Sequence, residues 1–246
     1  MANGIPIIDA NCVFGFWPHR KADVAISALI QTAQSHGIAR SIALSTTGIF
    51  HDFRIGNDET LAAVQANPQA LFPVATIDPR QHLDCAAEIE LRAGQGFRLV
   101  RFFPEYQGWP LVFAPFREVL SKLEEKKINS MVSVSGLGQA TQLSDMVALN
   151  QTPLILSGVT YSNLGEVIAI MKSDPKIHLE THRLNSPDAF EVLAAEVGCD
   201  RLVFGSYSPL KYVSSALQPV LMASLTDEQK AAILSGNIRR LFAAQK

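Results

Sequence analysis

Short apolar runs recur along the whole chain, each followed by an amphipathic stretch of helical length. The runs lie at 5–10, 40–45, 72–77, 97–103, 129–135, 153–157, 176–181 and 201–205. They are rich in Ile, Val, Leu and Phe, the composition of strands covered on both faces. Between and after them the pattern predicts helices over 22–36, 57–67, 82–94, 113–127, 139–150, 162–173, 186–198 and 211–222. In the fourth, Phe116, Leu120 and Leu123 recur at i, i+4 and i+7 and mark one buried stripe. Strand then helix, eight times over, is the pattern of a closed parallel barrel. The length of 246 residues is close to the roughly 250 that such a barrel needs.

The expected architecture is therefore one domain over residues 1–246, an α/β fold with a single (β/α)8 barrel and an extra C-terminal helix. An open doubly wound sheet shares this periodicity, but neither GxGxxG nor GxxxxGK[ST] follows any of the strands. The extra helix begins at Thr226-Asp-Glu-Gln229, a capping box in which Thr226 and Gln229 satisfy each other's backbone N–H groups. Ala231, Leu234, Leu241 and Phe242 follow as its packing face, with Gly236-Asn237 expected to interrupt it. No linker, repeat or low-complexity segment divides the chain.

Apolar residues make up 48% and charged residues 18%, ordinary for a chain with a large core. The net charge of −2 gives no long-range field for nucleic acid or an acidic membrane. The mixed-sign stretch Lys122–Lys127 reads as a solvated helix face. Cys12, Cys85 and Cys199 are too few and too scattered for a disulfide framework or a thiolate zinc site, and are expected as free thiols. Met1-Ala-Asn-Gly-Ile-Pro6 lacks a basic stretch followed by an apolar one. No apolar run approaches the roughly 20 residues that span a bilayer. A cytoplasmic protein is expected, with a small-molecule partner, no nucleic-acid or membrane partner, and self-association left open.

The active site of a parallel barrel lies at the C-terminal ends of its strands. Those ends deliver Asp9, Asn11 and Val13; Thr46, Thr47, His51 and Asp52; Asp78; Arg101 and Glu105; Ser133 and Ser135; Ser157, Thr160 and Tyr161. The seventh strand carries His178, Glu180 and His182 on one face, since strand side chains alternate. The eighth ends in Gly205-Ser206-Tyr207-Ser208-Pro209.

Several of these segments resemble the amidohydrolase-related barrels (amidohydrolase family 2). Ile7-Ile8-Asp9-Ala10-Asn11-Cys12-Val13 is similar to that family's opening strand, which usually reads I-D-x-H-x-H. Phe97–Pro104 is similar to its fourth strand, and Asp200–Pro209 to its eighth, usually D-R-x-x-F-G-S-D-x-P. Ile233–Leu241 is similar to its final I-x-x-x-N-A-x-R-L helix. The chain departs from the family at its metal site. Asn11 and Val13 stand where the histidine pair would be, and Tyr207 stands where the eighth-strand aspartate would be. The fifth strand ends in serines rather than a histidine, and the sixth in Ser157-Gly158 rather than D-H. A catalytic divalent metal needs about three imidazole or carboxylate ligands and an open position. No metal and no other cofactor is therefore expected by the family's usual route.

His182, Glu180 and Tyr207 are the expected catalytic residues. His182 reads as a general base beside a carboxylate, or as a histidine merely satisfied by Glu180. Tyr207 reads as a hydrogen-bond donor, or as a ring filling the space of the missing metal. Asn11, His51, Arg101, Ser133, Tyr161 and Ser206 are the expected substrate contacts. Arg101 would anchor a carboxylate or phosphate, or else pair with Glu105, Asp9 or Asp78. Asp9 is expected to brace the first loop through backbone N–H groups. Cys12 should point opposite to Asn11, and the aromatic loop Gly15–Arg20 is either a lid or cover for the rim. The resemblance implies a hydrolase of small, anionic lactones, esters or amides that works without a metal. The alternatives are a non-catalytic binding protein and a metal-dependent hydrolase or decarboxylase with a rebuilt metal site.

Overall fold

A computed structural model describes residues 6–148 and 150–243. The expected strand start at Ile5 and the helix position Leu149 lie outside them. Among the described residues the strands are β1 (Ile7–Phe14), β2 (Ile38–Ser45), β3 (Leu71–Pro73), β4 (Ala75–Thr76), β5 (Leu99–Phe102), β6 (Asn129–Ser133), β7 (Leu154–Ser157), β8 (Ile177–Glu180) and β9 (Leu202–Val203). Each pairs in parallel with the next, except that β3 and β4 are two halves of the third barrel strand. β3 pairs only with β2 and β4 only with β5, the break falling just after Pro73. Proline has no N–H to continue the ladder.

The ring closes between the last strand and the first. Ala10 N donates to Phe204 O at 2.9 Å and Val13 N to Ser208 O at 3.0 Å. The fold is a (β/α)8 barrel with additional helical structure at its C-terminal end. No helix among the described residues is long and apolar enough to cross a membrane.

The major helices fall close to the positions that the periodicity predicts: α1 (Ile26–Ser35), α3 (Phe53–Ala66), α4 (His82–Gly94), α6 (Ala114–Glu125), α7 (Gln139–Met146), α8 (Tyr161–Ser173), α9 (Ala189–Val197) and α10 (Val213–Met222). Two short helices on the site side of the barrel, α2 (Thr47–Phe50) and α5 (Pro104–Gln107), have no periodic signal. The second long helix starts four residues before its apolar pattern because Asp52 caps it, accepting from Arg54 N at 2.8 Å and Ile55 N at 3.2 Å. The Thr226 box forms as expected at the start of α11 (Asp227–Ala231).

Gly236-Asn237 does not interrupt the C-terminal helical structure. A π-turn over Ala232–Gly236 carries the chain into α12 (Asn237–Ala243). The Asn237 carboxamide donates to Cys199 O at 2.7 Å and Leu202 O at 2.6 Å, which ties this widened turn to the base of β9.

One irregularity in β1 matters for the site. Asp9 pairs with Ser41 but Cys12 with Ala43, so three steps of β1 oppose two of β2. Such a bulge reverses the facing of the residues beyond it. Ile8, Ala10 and Val13 pack with Ile42, Leu44, Leu99, Met131 and Ile155 inside the barrel, while Cys12 and Phe14 pack outside against Leu29 and Ala63. Cys12 is thus turned away from Asn11, as regular alternation also predicts. Asp9 and Asn11, by contrast, serve different partners.

Asp9 is fully buried and braces the closure. Its carboxylate accepts from Asn11 N at 3.1 Å, from Ser206 N at 2.9 Å and from the Ser206 hydroxyl. Burial raises its pKa from 3.8 to about 6, against the opposing pull of these donors. The folded carboxyl therefore holds its proton more tightly than the unfolded one. The stabilisation that this contributes is complete below 3.8 and is lost as pH rises through about 6. Asp9→Asn keeps an oxygen for both backbone donors and cannot ionise. Urea unfolding from about pH 4 to about 7 should show wild type losing stability relative to Asp9→Asn over that window. A difference that does not vary with pH would show that Asp9 does not titrate there.

Candidate active site

At the C-terminal ends of the strands, Arg101 on β5, Ser133 on β6, Ser157 on β7, His182 just beyond β8 and Tyr207 after β9 line one pocket of about 140 Å³. Ser133 and Ser157 are register partners on adjacent strands, and neither hydroxyl has a side-chain partner among the described residues. A larger cavity of about 830 Å³ opens by Arg40, Phe72 and Phe242, around residues at the N-terminal ends of β1, β2 and β3. Its lining among the described residues includes no acid–base pair, so the smaller pocket is the chemical candidate.

The best-defined group at the pocket is an acid–base pair, of which His182 lines the pocket and Glu180 lies fully buried behind it. His182 Nδ1 lies 2.5 Å from Glu180 Oε2, and His182 N donates to Glu180 Oε1 at 2.7 Å. A carboxylate acceptor places the proton on Nδ1 and leaves Nε2 with the lone pair. Burial pushes the Glu180 carboxyl up. The charge and hydrogen bonds of His182 and the Asn11 carboxamide outweigh this, so its pKa lies below the usual value. Gly205 makes room for the carboxylate, since a Cβ there would fall 2.1 Å from Glu180 Oε1.

Arg101 is buried and pairs with no carboxylate among the described residues. Asp78 pairs instead with Arg80 at 2.7 Å, Glu105 accepts from the Ser135 hydroxyl, and Asp9 is held by Ser206. The Arg101 guanidinium lies over the Phe103 ring at 4.5 Å and the Tyr207 ring at 4.9 Å, with its NH1 group unpartnered. Ring faces attract a cation but accept no strong hydrogen bond from it. Arg183 and Lys211 add positive charge at the rim, and burial together with Arg183 lowers the Lys211 pKa.

Tyr207 has φ +60°, a conformation that a bulky side chain adopts at a cost of about 1–3 kcal/mol. Burial raises its pKa, the Arg101 charge opposes this, and a hydrogen bond with Tyr106 adds to it, so the phenol stays protonated. Its ring also meets His182 at 5.4 Å. Trp17 caps the group, edge-on to Phe50 and Tyr106 at 5.2 Å and to Tyr207 at 6.2 Å. The aromatic loop after β1 is therefore cover for the rim.

Of the expected residues, the structure brings together His182, Glu180, Tyr207, Arg101 and Ser133. Asn11 is buried and turned onto Glu180, 2.9 Å from Nδ2 to Oε2, and does not line the pocket. Ser206 is also buried, its hydroxyl engaged by Asp9. His51 is exposed at the end of α2, and Tyr161 is 79% exposed at the start of α8; neither lines the pocket. Ser157, Glu105, Tyr106, Arg183 and Lys211 line it without being expected substrate contacts. Ser157 and Glu105 are legible from the strand ends. The others sit on the short helix α5 and on loops, where periodicity carries no signal.

The residues present do not suit the metal of the related barrels. The Asn11 amide nitrogen is committed to Glu180, Val13 is buried in the apolar interior, and the Arg101 cation lies over the ring of Tyr207. Among the described residues no three His, Cys, Asp or Glu side chains converge as a metal site.

No curated protein matches the sequence. Solved structures match its fold over nearly the whole chain. The 5-carboxyvanillate decarboxylase of Sphingomonas paucimobilis is 15% identical, with a TM-score of 0.78 over 98% of this chain and 99% of its own. That of Novosphingobium aromaticivorans, complexed with manganese and 4-hydroxy-3-methoxy-5-nitrobenzoic acid, is 14% identical, with a TM-score of 0.76 over 98% and 96%. The 4-oxalomesaconate hydratase of Rhodopseudomonas palustris is 16% identical, with a TM-score of 0.69 over 96% and 95%. The amidohydrolase family model matches residues 51–244. By that match the chain belongs to the amidohydrolase family.

Proposed function

We propose that this protein is a hydrolase of small anionic lactones, esters or amides, and that it activates water with His182 rather than with a metal. The observation that carries this reading is that His182, held from behind by the buried Glu180, and Arg101, which has no carboxylate partner among the described residues, line one pocket. Arg101 lines the pocket and binds the substrate carboxylate, its donor fork suiting a planar anion. Ser133 and Ser157 supply further hydroxyls beside it. His182 Nε2 takes a proton from water as the oxygen attacks the carbonyl carbon, and Glu180 stabilises the imidazolium that forms. The protonated Tyr207 phenol donates to the oxygen that gains charge. Collapse of the tetrahedral species breaks the acyl C–O or C–N bond, and the imidazolium returns its proton to the leaving group.

Three measurements test this. A panel of lactones, esters and amides with a carboxylate should give a turned-over compound. On it His182→Asn should lower kcat by about 10²–10⁴-fold with the fold intact, as expected for loss of a general base. Tyr207→Phe should cost less, because it removes one donor and keeps the ring. Turnover that is indifferent to His182→Asn would assign the base elsewhere. No turnover on the panel, with a small molecule retained through purification, would favour a binding protein.

Small carboxylates such as malonate and benzoate should raise the Tm of wild type by linkage and leave that of Arg101→Ala unchanged. A shift that survives the substitution would remove Arg101 from the site. Finally, protein purified without chelator should contain no stoichiometric zinc, iron or manganese, and chelator should leave turnover unchanged. Elemental analysis that finds about one transition metal per chain would overturn the metal-free reading.

A further inference from the structure

We propose that Asn11 is the positioning residue of the Glu180–His182 pair: its carboxamide fixes the carboxylate oxygen that in turn fixes the tautomer and ring plane of His182. This rests on the general-base reading above and assigns a residue that acts through Glu180 rather than on substrate.

Glu180 has few partners. Its side chain is fully buried, and its one ion-pair partner among the described residues is His182. A buried carboxylate without a guanidinium or ammonium partner needs strong donors to stay charged. Oε1 has the backbone N–H of His182 at 2.7 Å, and Oε2 has His182 Nδ1 at 2.5 Å and Asn11 Nδ2 at 2.9 Å. Among the described residues Asn11 is thus the one side-chain donor to the carboxylate besides the imidazole itself. The 3.4 Å approach of Asn11 Nδ2 to His182 Nδ1 results from both donors aiming at the same oxygen.

Three features hold the carboxamide there. The bulge in β1 turns Asn11 into the barrel, Asp9 accepts from its backbone N–H at 3.1 Å, and Gly205 leaves the space between it and Glu180 open. Electrostatics sets the orientation of the amide, since the flipped amide would set Oδ1 against a carboxylate oxygen. In the observed orientation Oδ1 is buried with no partner. An unsatisfied buried acceptor costs about 1–3 kcal/mol. The side chain bears that cost while its nitrogen serves Glu180, which is the mark of a donor placed for its neighbour. Aspartate here would bring a second carboxylate against the first, and an aliphatic isostere would leave Oε2 with the imidazole alone.

The test reads His182 directly and needs no substrate. In wild type, ¹⁵N NMR of the labelled side chain should show the neutral imidazole as the Nδ1–H tautomer with its proton shared toward Glu180. Any other tautomer overturns the proposal. Asn11→Leu, close in shape and lacking the donor, should remain folded by circular dichroism while the ¹⁵N signature moves toward a tautomer mixture. If Asn11→Leu does not fold, Asn11→Ser, whose hydroxyl is too short to reach Oε2, takes its place with the same expectation.

On a compound that wild type hydrolyses, kcat should fall about 10–100-fold at unchanged KM, the scale seen for groups that orient a functional side chain from behind. A folded variant with an unchanged His182 signature overturns the positioning role, whatever its activity. A changed signature in a protein that turns over nothing on the panel supports the positioning role and counts only against the hydrolase reading.

Discussion

The carboxylate of Glu180 sits where the barrel closes, and the site is arranged around it. It lies at the end of β8, takes the Asn11 amide from β1, and occupies the space that a side chain on Gly205, beyond β9, would fill. Three strands at the seam therefore meet at one buried charge. Its stabilisation comes from close donors rather than from a strong cation: one backbone N–H, one carboxamide and one imidazole. Such an arrangement is sensitive to the loss of any single donor, because the remainder is a desolvated charge with its compensation incomplete. The Asp9–Ser206 bond on the other side of the same seam fixes the two strand ends from which Asn11 and Tyr207 extend.

Arg101 and Tyr207 form the second half of the site, and each explains the other's unusual state. A buried guanidinium with no carboxylate partner would ordinarily be expensive. Here two aromatic faces, Phe103 and Tyr207, offset part of that cost, and NH1 stays buried without a partner among the described residues. Tyr207 reaches its place only with a left-handed backbone, and its ring is held by Trp17, by His182 and by the Arg101 cation. Strain of that kind persists where surrounding contacts over-determine the residue, and it clusters at functional sites. Arg101, Arg183 and Lys211 give the pocket mouth a positive bias that the chain as a whole, at net charge −2, does not have.

The barrel is legible in the eight apolar runs because strands buried on both faces must be apolar along their length. The finer breaks are not. Pro73 splits the third strand after an unbroken apolar pattern, and the bulge between Asp9 and Cys12 leaves no mark in hydrophobicity. Asn11 faces the barrel interior, as the sequence suggests, but its amide is taken by Glu180, a tertiary contact that no local pattern encodes. The Glu180–His182 pair is legible because two residues two apart on a strand share a face. His51 and Tyr161 stand near strand ends, but a loop side chain can leave in any direction, and both are exposed. The rim residues Tyr106, Arg183 and Lys211 meet only through tertiary packing, which no local pattern encodes.

The size of the pocket sets a condition on any chemistry proposed for it. At about 140 Å³ it is well below the roughly 300–1,000 Å³ of pockets that enclose drug-sized ligands. A substrate of a few heavy atoms fits as the site stands, whereas a ring with substituents requires the cover to move. That cover is made of Trp17 on the loop after β1, Phe50 on α2 and Tyr106 on α5, joined to one another by edge-to-face ring contacts rather than by hydrogen bonds. Contacts of that kind add about 0.5–1.5 kcal/mol each to the burial of the rings, and Trp17 is itself part of the buried interior cluster, so admitting a larger substrate carries both costs. The packing of that cover therefore decides which substrates reach His182, while Glu180, Asn11 and Asp9 at the seam beneath decide how His182 is held.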